Sequence, residues 1–297
     1  MPANTLPDYV RQTRYSDPGA HAKLLAALPP NVADISAAVR NVLVHYRAAG
    51  YPFTGGRLAE IDCRWVSRIL DVDQARHGTP LTGPRVEEQR VAGCCRDFTL
   101  LTVAGLRHHG IPARSRIGFA GYFVPGWHHD HVVVELLGDG RFVDAQLDPA
   151  SWPFDTGNVP RGIDAFATAA EVWTAHRRGE IDVSTFGVDP SLPFRGETFV
   201  RNYVLMELAH RHGDEMLLWD DWGHMRGPGE APSDPEFIDE LAALLIAADA
   251  GDTSAEEDLA HRYGADERLR PGARVVSHSP TGTDLLVDLE ARTSTPA

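Results

Sequence analysis

A helix that starts on two adjacent cysteines and runs directly into an antiparallel hairpin constrains the fold of this chain more than any other segment. After Cys95, residues Phe98, Leu101, Thr102, Gly105 and Leu106 recur at helical spacing, and Gly110 followed by Pro112 closes the element. Ile117 to Phe123 reads as a strand. A loop, Pro125 to Asp130, leads into His131-Val132-Val133-Val134-Glu135-Leu136-Leu137, β-branched and partly alternating, hence a second strand. Gly138-Asp139-Gly140 is a tight-turn signal, and Arg141-Phe142-Val143-Asp144 returns antiparallel to it. The expected fold class is therefore α+β, with a helix packed on an antiparallel sheet.

Helical patterning brackets this unit. Before it, the spacing predicts helix near 21–28, from Asp34 through Tyr46, and over 57–70. After it, 162–178, 197–218, 235–249 and 254–263 read as helices, and Ala273 to Ala297 as a short extended piece with a loose tail. This divides the chain into an N-terminal helical part of the core domain (1–87), a catalytic core (88–155), a helical C-terminal extension (156–270) and a tail (271–297).

Bulk properties exclude several classes. With 297 residues and 43% apolar content the chain can build a substantial core. No apolar run approaches a membrane span, and Met1 to Leu28 lacks an apolar leader core, so the expectation is a soluble, cytoplasmic protein without a membrane partner. Three cysteines, two of them adjacent, cannot form a disulfide framework. The net charge of -14 sits in residues 214–267, with 16 acids against 2 arginines, while the rest of the chain balances. That argues against a nucleic-acid partner, which requires a clustered basic face. The acidic stretch reads as a solvated helical surface.

A cysteine nucleophile needs a route to thiolate, a base for its proton and a group that orients the base. Cys95 at a helix N-terminus meets the first need, because the dipole favours the anion. His131 begins a stiff strand, and the hairpin register places it within about a residue of facing Asp144 on the next. The carboxylate would fix the ring tautomer and stabilise the imidazolium. Asp148, before Pro149, reads as a turn or cap residue, and Asp97 as a first-turn carboxylate. His129 is the alternative base if the strand starts earlier. His128, His129, Asp130 and His131 invite a metal reading, but successive residues of an extended chain point to opposite faces, so no metal is expected.

Three ordered blocks in residues 88–150 resemble the transglutaminase-like superfamily, including bacterial transglutaminase-like domain proteins. Gly93-Cys94-Cys95-Arg96-Asp97-Phe98 followed by Gly110-Ile111-Pro112-Ala113-Arg114 is similar to its cysteine helix: glycine, any residue, cysteine, an aromatic three residues on, then "GIPAR". His131 to Glu135 resembles its histidine strand, and Phe142-Val143-Asp144 its aspartate strand. The pattern selects Cys95 over Cys94. The resemblance implies a papain-like core, a Cys95–His131–Asp144 triad, no cofactor, and acyl-enzyme chemistry on an amide, peptide or acyl-thioester substrate, resolved by water or an amine. Val133 stands where the family often carries tryptophan, and no calcium-loop signature is present.

Gln89, just before the helix, is a candidate oxyanion donor by analogy with papain-like sites, beside the Cys95 backbone N–H. Arg96, Arg114 and Arg116 are candidate ligands for a substrate carboxylate, competing with intramolecular ion pairs. Cys63 reads as a core thiol on a helix, and Trp219 to Gly223 as a helix-ending aromatic cluster. The competing functional class is a non-catalytic binding module on the same fold, in which no thiol would be unusually reactive. Nothing in the sequence sets an oligomeric state.

Overall fold

The computed structural model describes residues 8–227 and 234–297. Its N-terminal part comprises α1 (Ala22–Ala26), α2 (Val32–Val42), β1 (Leu43–His45), α3 (Gly55–Leu58), α4 (Val66–His77), β2 (Val91–Gly93) and α5 (Cys95–His108). Every residue of α5 from Cys95 to Arg107 is buried, polar ones included. A helix buried on all sides needs neighbours on all sides. Helices α1, α2 and α4 supply them on one flank. At Gly105 a Cβ would fall 2.8 Å from Ile35 Cγ2, so glycine sets how closely α2 approaches.

Two departures from the helical reading occur here, and both shape the site. Asn31 caps α2, its side chain accepting the Asp34 N–H at 3.0 Å, but the helix ends at Val42 rather than Tyr46. Leu43, Val44 and His45 extend instead and pair in parallel with Val91, Ala92 and Gly93. The apolar spacing of Leu43 and Tyr46 suits either state, and the partner strand decides. The expected 57–70 helix is interrupted: a 3₁₀ turn (Ala59–Asp62) follows α3, Arg64 adopts φ 54°, and α4 begins at Val66. Cys63 lies in this break and not on a helix.

The central sheet follows, with β3 (Ala113–Val124), β4 (Trp127–Leu136), β5 (Arg141–Val143) and β6 (Phe166–Thr168), then α6 (Ala169–Arg177), β7 (Phe186–Gly187) and α7 (Glu197–Arg211). The strand order is β5-β4-β3-β6, all antiparallel, with β7 parallel beside β4. Strand β4 starts at Trp127, four residues earlier than its β-branched run suggests, because Pro125-Gly126 turns the chain tightly. The α+β class is observed: α5 lies on β3 and β4, and α6 and α7 also pack against β3. Gly118 lets β6 approach β3 closely, since a Cβ there would sit 2.1 Å from the Ala167 carbonyl oxygen.

The C-terminal part contains β8 (Asp220–Asp221), α8 (Pro235–Asp249), α9 (Thr253–Ala265) and the strands β9 (Arg274–His278), β10 (Asp284–Asp288) and β11 (Thr293–Pro296). The segment read as an extended piece and loose tail is thus an antiparallel sheet ordered β11-β10-β9-β8. Its pairing partner β8 lies more than fifty residues upstream, beyond the reach of local patterning. One apolar core cluster runs from Tyr15 to Leu289. Among the described residues no helix is long and apolar enough to cross a membrane.

The acidic stretch is not simply a solvated face. Asp220 holds buried Arg64, Glu215 holds buried Arg107, and Asp249 meets Arg114, Arg116 and Arg211. Burial works against the Asp249 carboxylate, but Arg116 and Arg211 hold it well below the usual carboxylate range. These acids are counterions for arginines elsewhere in the chain, so the charge imbalance is partly a packing requirement.

Candidate active site

Cys95 is the first residue of α5, so its backbone N–H has no intrahelical acceptor and points out of the helix end. Asp97 secures that end: one of its oxygens accepts the Cys94 N–H at 2.9 Å and the other accepts from Arg96 at 2.9 Å. One turn further on, the Thr99 hydroxyl donates to the Val132 carbonyl at 2.8 Å. That bond fastens the cysteine helix to β4 beside His131.

The hairpin supplies the rest. Val134 faces Val143 and Leu136 faces Arg141, and Asp144 leaves the end of β5 with its N–H bound to the Thr156 carbonyl. Asp144 Oδ2 lies 2.7 Å from His131 Nε2 and also accepts the Tyr122 hydroxyl at 2.7 Å, while Oδ1 accepts the Gln146 N–H at 3.1 Å. His131 and Asp144 are almost completely buried. With Nε2 engaged by the carboxylate, Nδ1 is the nitrogen left for the sulfur. Cys95 lines one cleft with Cys94, His131 and His45, and all three side chains bear on its sulfur.

These contacts set the charges. Cys94 favours the Cys95 thiolate, burial opposes it, and His131 and His45 carry the thiol well below its ordinary range. Burial disfavours a charged His131 ring, yet the Asp144 carboxylate and the Cys95 sulfur push it up to about 10. Cys94 moves the opposite way: its interaction with Cys95 and its burial hold it as a thiol. These shifts favour the thiolate on Cys95, the charged ring on His131 and the neutral thiol on Cys94. Cys63 lies apart, and burial pushes it up to about 12.

Cys95 opens into a cleft of about 940 Å³, shared with His45, His131, Asp130, Phe199 and Trp219. Phe123, Leu192 and Phe194 add apolar surface to its lining, and Asp189, Arg195 and Asp221 add charge. Asp130 is half-buried on this wall, its Oδ2 accepting the Tyr203 hydroxyl at 2.5 Å. Burial and the neighbouring Cys95 charge push the Asp130 carboxyl up to about 6. Trp219 and Trp222 part company: Trp219 lines the cleft and donates to Asp62 at 3.0 Å, whereas Trp222 is core and donates to the Leu269 carbonyl. Since α7 ends at Arg211, neither tryptophan ends a helix.

The other candidates are distributed differently. Gln89 sits exposed in a 3₁₀ turn (Glu87–Gln89), away from the lining of the Cys95 cleft, its carbonyl meeting His77 at 3.2 Å. Arg96 is consumed by Asp97 and the Glu215 carbonyl. Arg114 meets Glu135 and Asp249, and Arg116 meets Glu135, Glu207 and Asp249. All three arginines are buried ion-pair partners that do not line the cleft, which corrects their reading as substrate-carboxylate ligands. Each acidic partner lies at least one element away in sequence, except Asp97, so local reading had no access to it. Strand β4 does start early, as the His129 alternative requires, but His129 Nδ1 is 2.9 Å from the Val188 carbonyl and it is His131 that meets Asp144.

The clustered histidines diverge as the strand alternation requires. His128 stacks on Phe186 at 4.0 Å between ring centres, His129 meets Val188, Asp130 meets Tyr203, and His131 meets Asp144. Among the described residues no group of three or more His, Cys, Asp or Glu side chains is placed to hold a metal ion. Sequence reading passed over two residues of the site. Tyr122 supports Asp144, and its place near the end of β3 was the only signal available. His45 was hidden inside a helical pattern.

Fold and site together define an α+β chain with a buried cysteine–histidine–aspartate group at the wall of a cleft. No family model matches the chain, and no curated protein matches it. A crystal structure of a putative cysteine protease from Cytophaga hutchinsonii is similar over 49% of this chain and 45% of that one, at 19% identity and a TM-score of 0.29. The similar region therefore spans less than half of that protein's length, and at this level the likeness does not define a shared fold.

Proposed function

We propose that this protein is a cysteine-dependent acyl-transfer enzyme of transglutaminase-like type, working through an acyl-enzyme on Cys95. The observation that carries the reading is His131 bonded to Asp144 at 2.7 Å and sharing one cleft wall with Cys95. Thiolate Cys95 attacks the carbonyl of an amide, peptide or acyl-thioester. The imidazolium of His131 gives its proton to the departing amine or thiol, and Asp144 keeps the ring oriented and its charge compensated. Water or an amine then attacks the thioester, His131 takes the proton, and the thiolate leaves. The papain-like arrangement of a cysteine helix on an antiparallel sheet belongs to the same proposal, and the cytoplasm is its expected setting.

Thiol reactivity tests this reading against a non-catalytic module. At about pH 6, iodoacetamide is expected to alkylate Cys95 at least about 100-fold faster than Cys63 or Cys94, as read by peptide mass mapping. Three thiols reacting alike and slowly would remove the enzyme reading. The substrate class is then approached by incubating intact protein with pooled amides, peptides and acyl-thioesters and locating an added acyl mass on Cys95.

The carboxylate makes a separate prediction. Asp144→Asn removes the charge that raises His131. The imidazolium is charged below its pKa, so lowering that pKa moves the alkaline limit of the ion pair down from about 10 towards the ordinary histidine range. Acylation at neutral pH is expected to fall by about 10²–10⁴-fold. An alkaline limit that stays where it is in the Asn variant would show that Asp144 does not govern the ring.

A further inference from the structure

His45 lines the same cleft as Cys95, beside the sulfur, and the His131 mechanism does not use it. Its position is fixed from two sides. His45 faces Gly93 in the parallel β1–β2 pair, and the next residue's N–H donates to the Gly93 carbonyl at 3.0 Å. The ring stacks on Tyr46 at 5.6 Å between centres. Strand β1 therefore holds this imidazole opposite Gly93, two residues before the nucleophile, at the N-terminal end of α5.

The tautomer follows from one further bond. His45 Nδ1 accepts the Arg47 backbone N–H at 3.3 Å, so in the neutral ring the proton resides on Nε2. In that tautomer the ring offers an N–H on Nε2 and, with Nδ1 already accepting, cannot take the proton of the thiol. No carboxylate within ion-pair distance supports a charge on it among the described residues, in contrast to His131. His45 thus presents an N–H donor where Cys95 and the open N–H of a helix terminus meet.

We propose that His45 is a catalytic oxyanion donor, pairing its Nε2–H with the Cys95 backbone N–H around the carbonyl oxygen of the substrate. The inference rests on Cys95 being the nucleophile. As the C–S bond forms, the carbonyl π pair moves to oxygen and the sulfur loses its charge. The Nε2–H then has its anion on that oxygen. When the carbonyl reforms, the leaving group departs with the proton of His131, and His45 neither gains nor loses one. This role replaces the one expected of Gln89, which lies away from the cleft.

The test separates a donor to oxygen from a donor to sulfur. Acylation by p-nitrophenyl acetate passes through an oxyanion, whereas alkylation by iodoacetamide consumes the same thiolate without one. In His45→Ala, the Cys95 acylation rate is expected to fall by about 10²–10³-fold, with alkylation at the same pH changed less than about three-fold. His45→Gln, which keeps volume and an N–H donor, is expected to recover part of the loss and serves if the alanine variant does not fold. Unchanged acylation in both variants, or acylation and alkylation falling in parallel, would overturn the proposal. Wild-type protein that never acylates at Cys95 would instead overturn the functional reading beneath it.

Discussion

Cys95→Ala is expected to abolish acyl-enzyme formation, lowering any acyl-transfer rate by about 10⁴–10⁶-fold while leaving the thermal midpoint nearly unchanged. The size of the effect follows from the state of the other thiols. Cys94 is adjacent, but its interaction with the Cys95 sulfur and its burial hold it as a thiol. Cys63 titrates near 12, so its thiolate fraction at neutral pH is negligible. Neither can substitute. The readout is the intact mass after exposure to the acyl donor, and an acyl adduct persisting in the variant would remove Cys95 from the mechanism. Cys94→Ala should behave differently. It keeps the nucleophile but loses the largest influence favouring its thiolate, so acylation persists and alkylation near pH 6 slows.

The largest expected effect on stability is at Asp220. Its side chain is fully buried against Arg64, bonded bidentately with Nη2 to Oδ1 at 2.8 Å, and Oδ2 also accepts the Leu217 N–H at 2.8 Å. Arg64 is held at φ 54°, a left-handed conformation that costs a non-glycine residue about 1–2 kcal/mol. The pair joins the break before α4 to β8, connecting N-terminal helices to the C-terminal sheet and supporting the Trp219 wall of the cleft. In Asp220→Ala the guanidinium loses its paired carboxylate and, among the described residues, keeps the Ser277 hydroxyl at 3.3 Å and the Trp65 ring. An uncompensated buried charge costs about 3–5 kcal/mol, which corresponds to a fall in thermal midpoint of roughly 5–15 °C. Removing both charges, as in Arg64→Met with Asp220→Leu, should restore much of the loss. A single variant as stable as the parent would mean that Arg64 finds solvent or another partner.

How much of this could be read from the chain depends on the range of the interactions. The α5 boundaries, the hairpin and its register were legible because each is set within a few residues, by a helix start, a Gly-Asp-Gly turn and β-branched runs. Cys95, His131 and Asp144 inherit that legibility: two neighbouring strands and the helix before them bring the three together. The α8 span was legible for the same reason, with proline at its first turn and apolar spacing throughout. His45 was not. Leu43 and Tyr46 continue the spacing of α2, and only pairing with Val91–Gly93, nearly fifty residues later, pulls the segment into a strand. The tail failed similarly, since β9 pairs with a two-residue strand at Asp220–Asp221.

Charge shows the same division most plainly. Composition gives -14 concentrated in one stretch, and read alone that stretch looks like a solvated acidic lobe. In the folded chain Glu215, Asp220, Asp249 and Glu256 face arginines at 107, 64, 114, 116 and 211, most of them buried. The arginines that looked available to a substrate are therefore already neutralised. The amino-acid sequence by itself determined the local elements and the order of cysteine, histidine and aspartate, because dihedral preference, periodicity and turn chemistry act over a few residues. Only the tertiary structure decided which charges meet, where His45 lies and what lines the cleft, because those follow from contacts between segments that local preference leaves unconstrained.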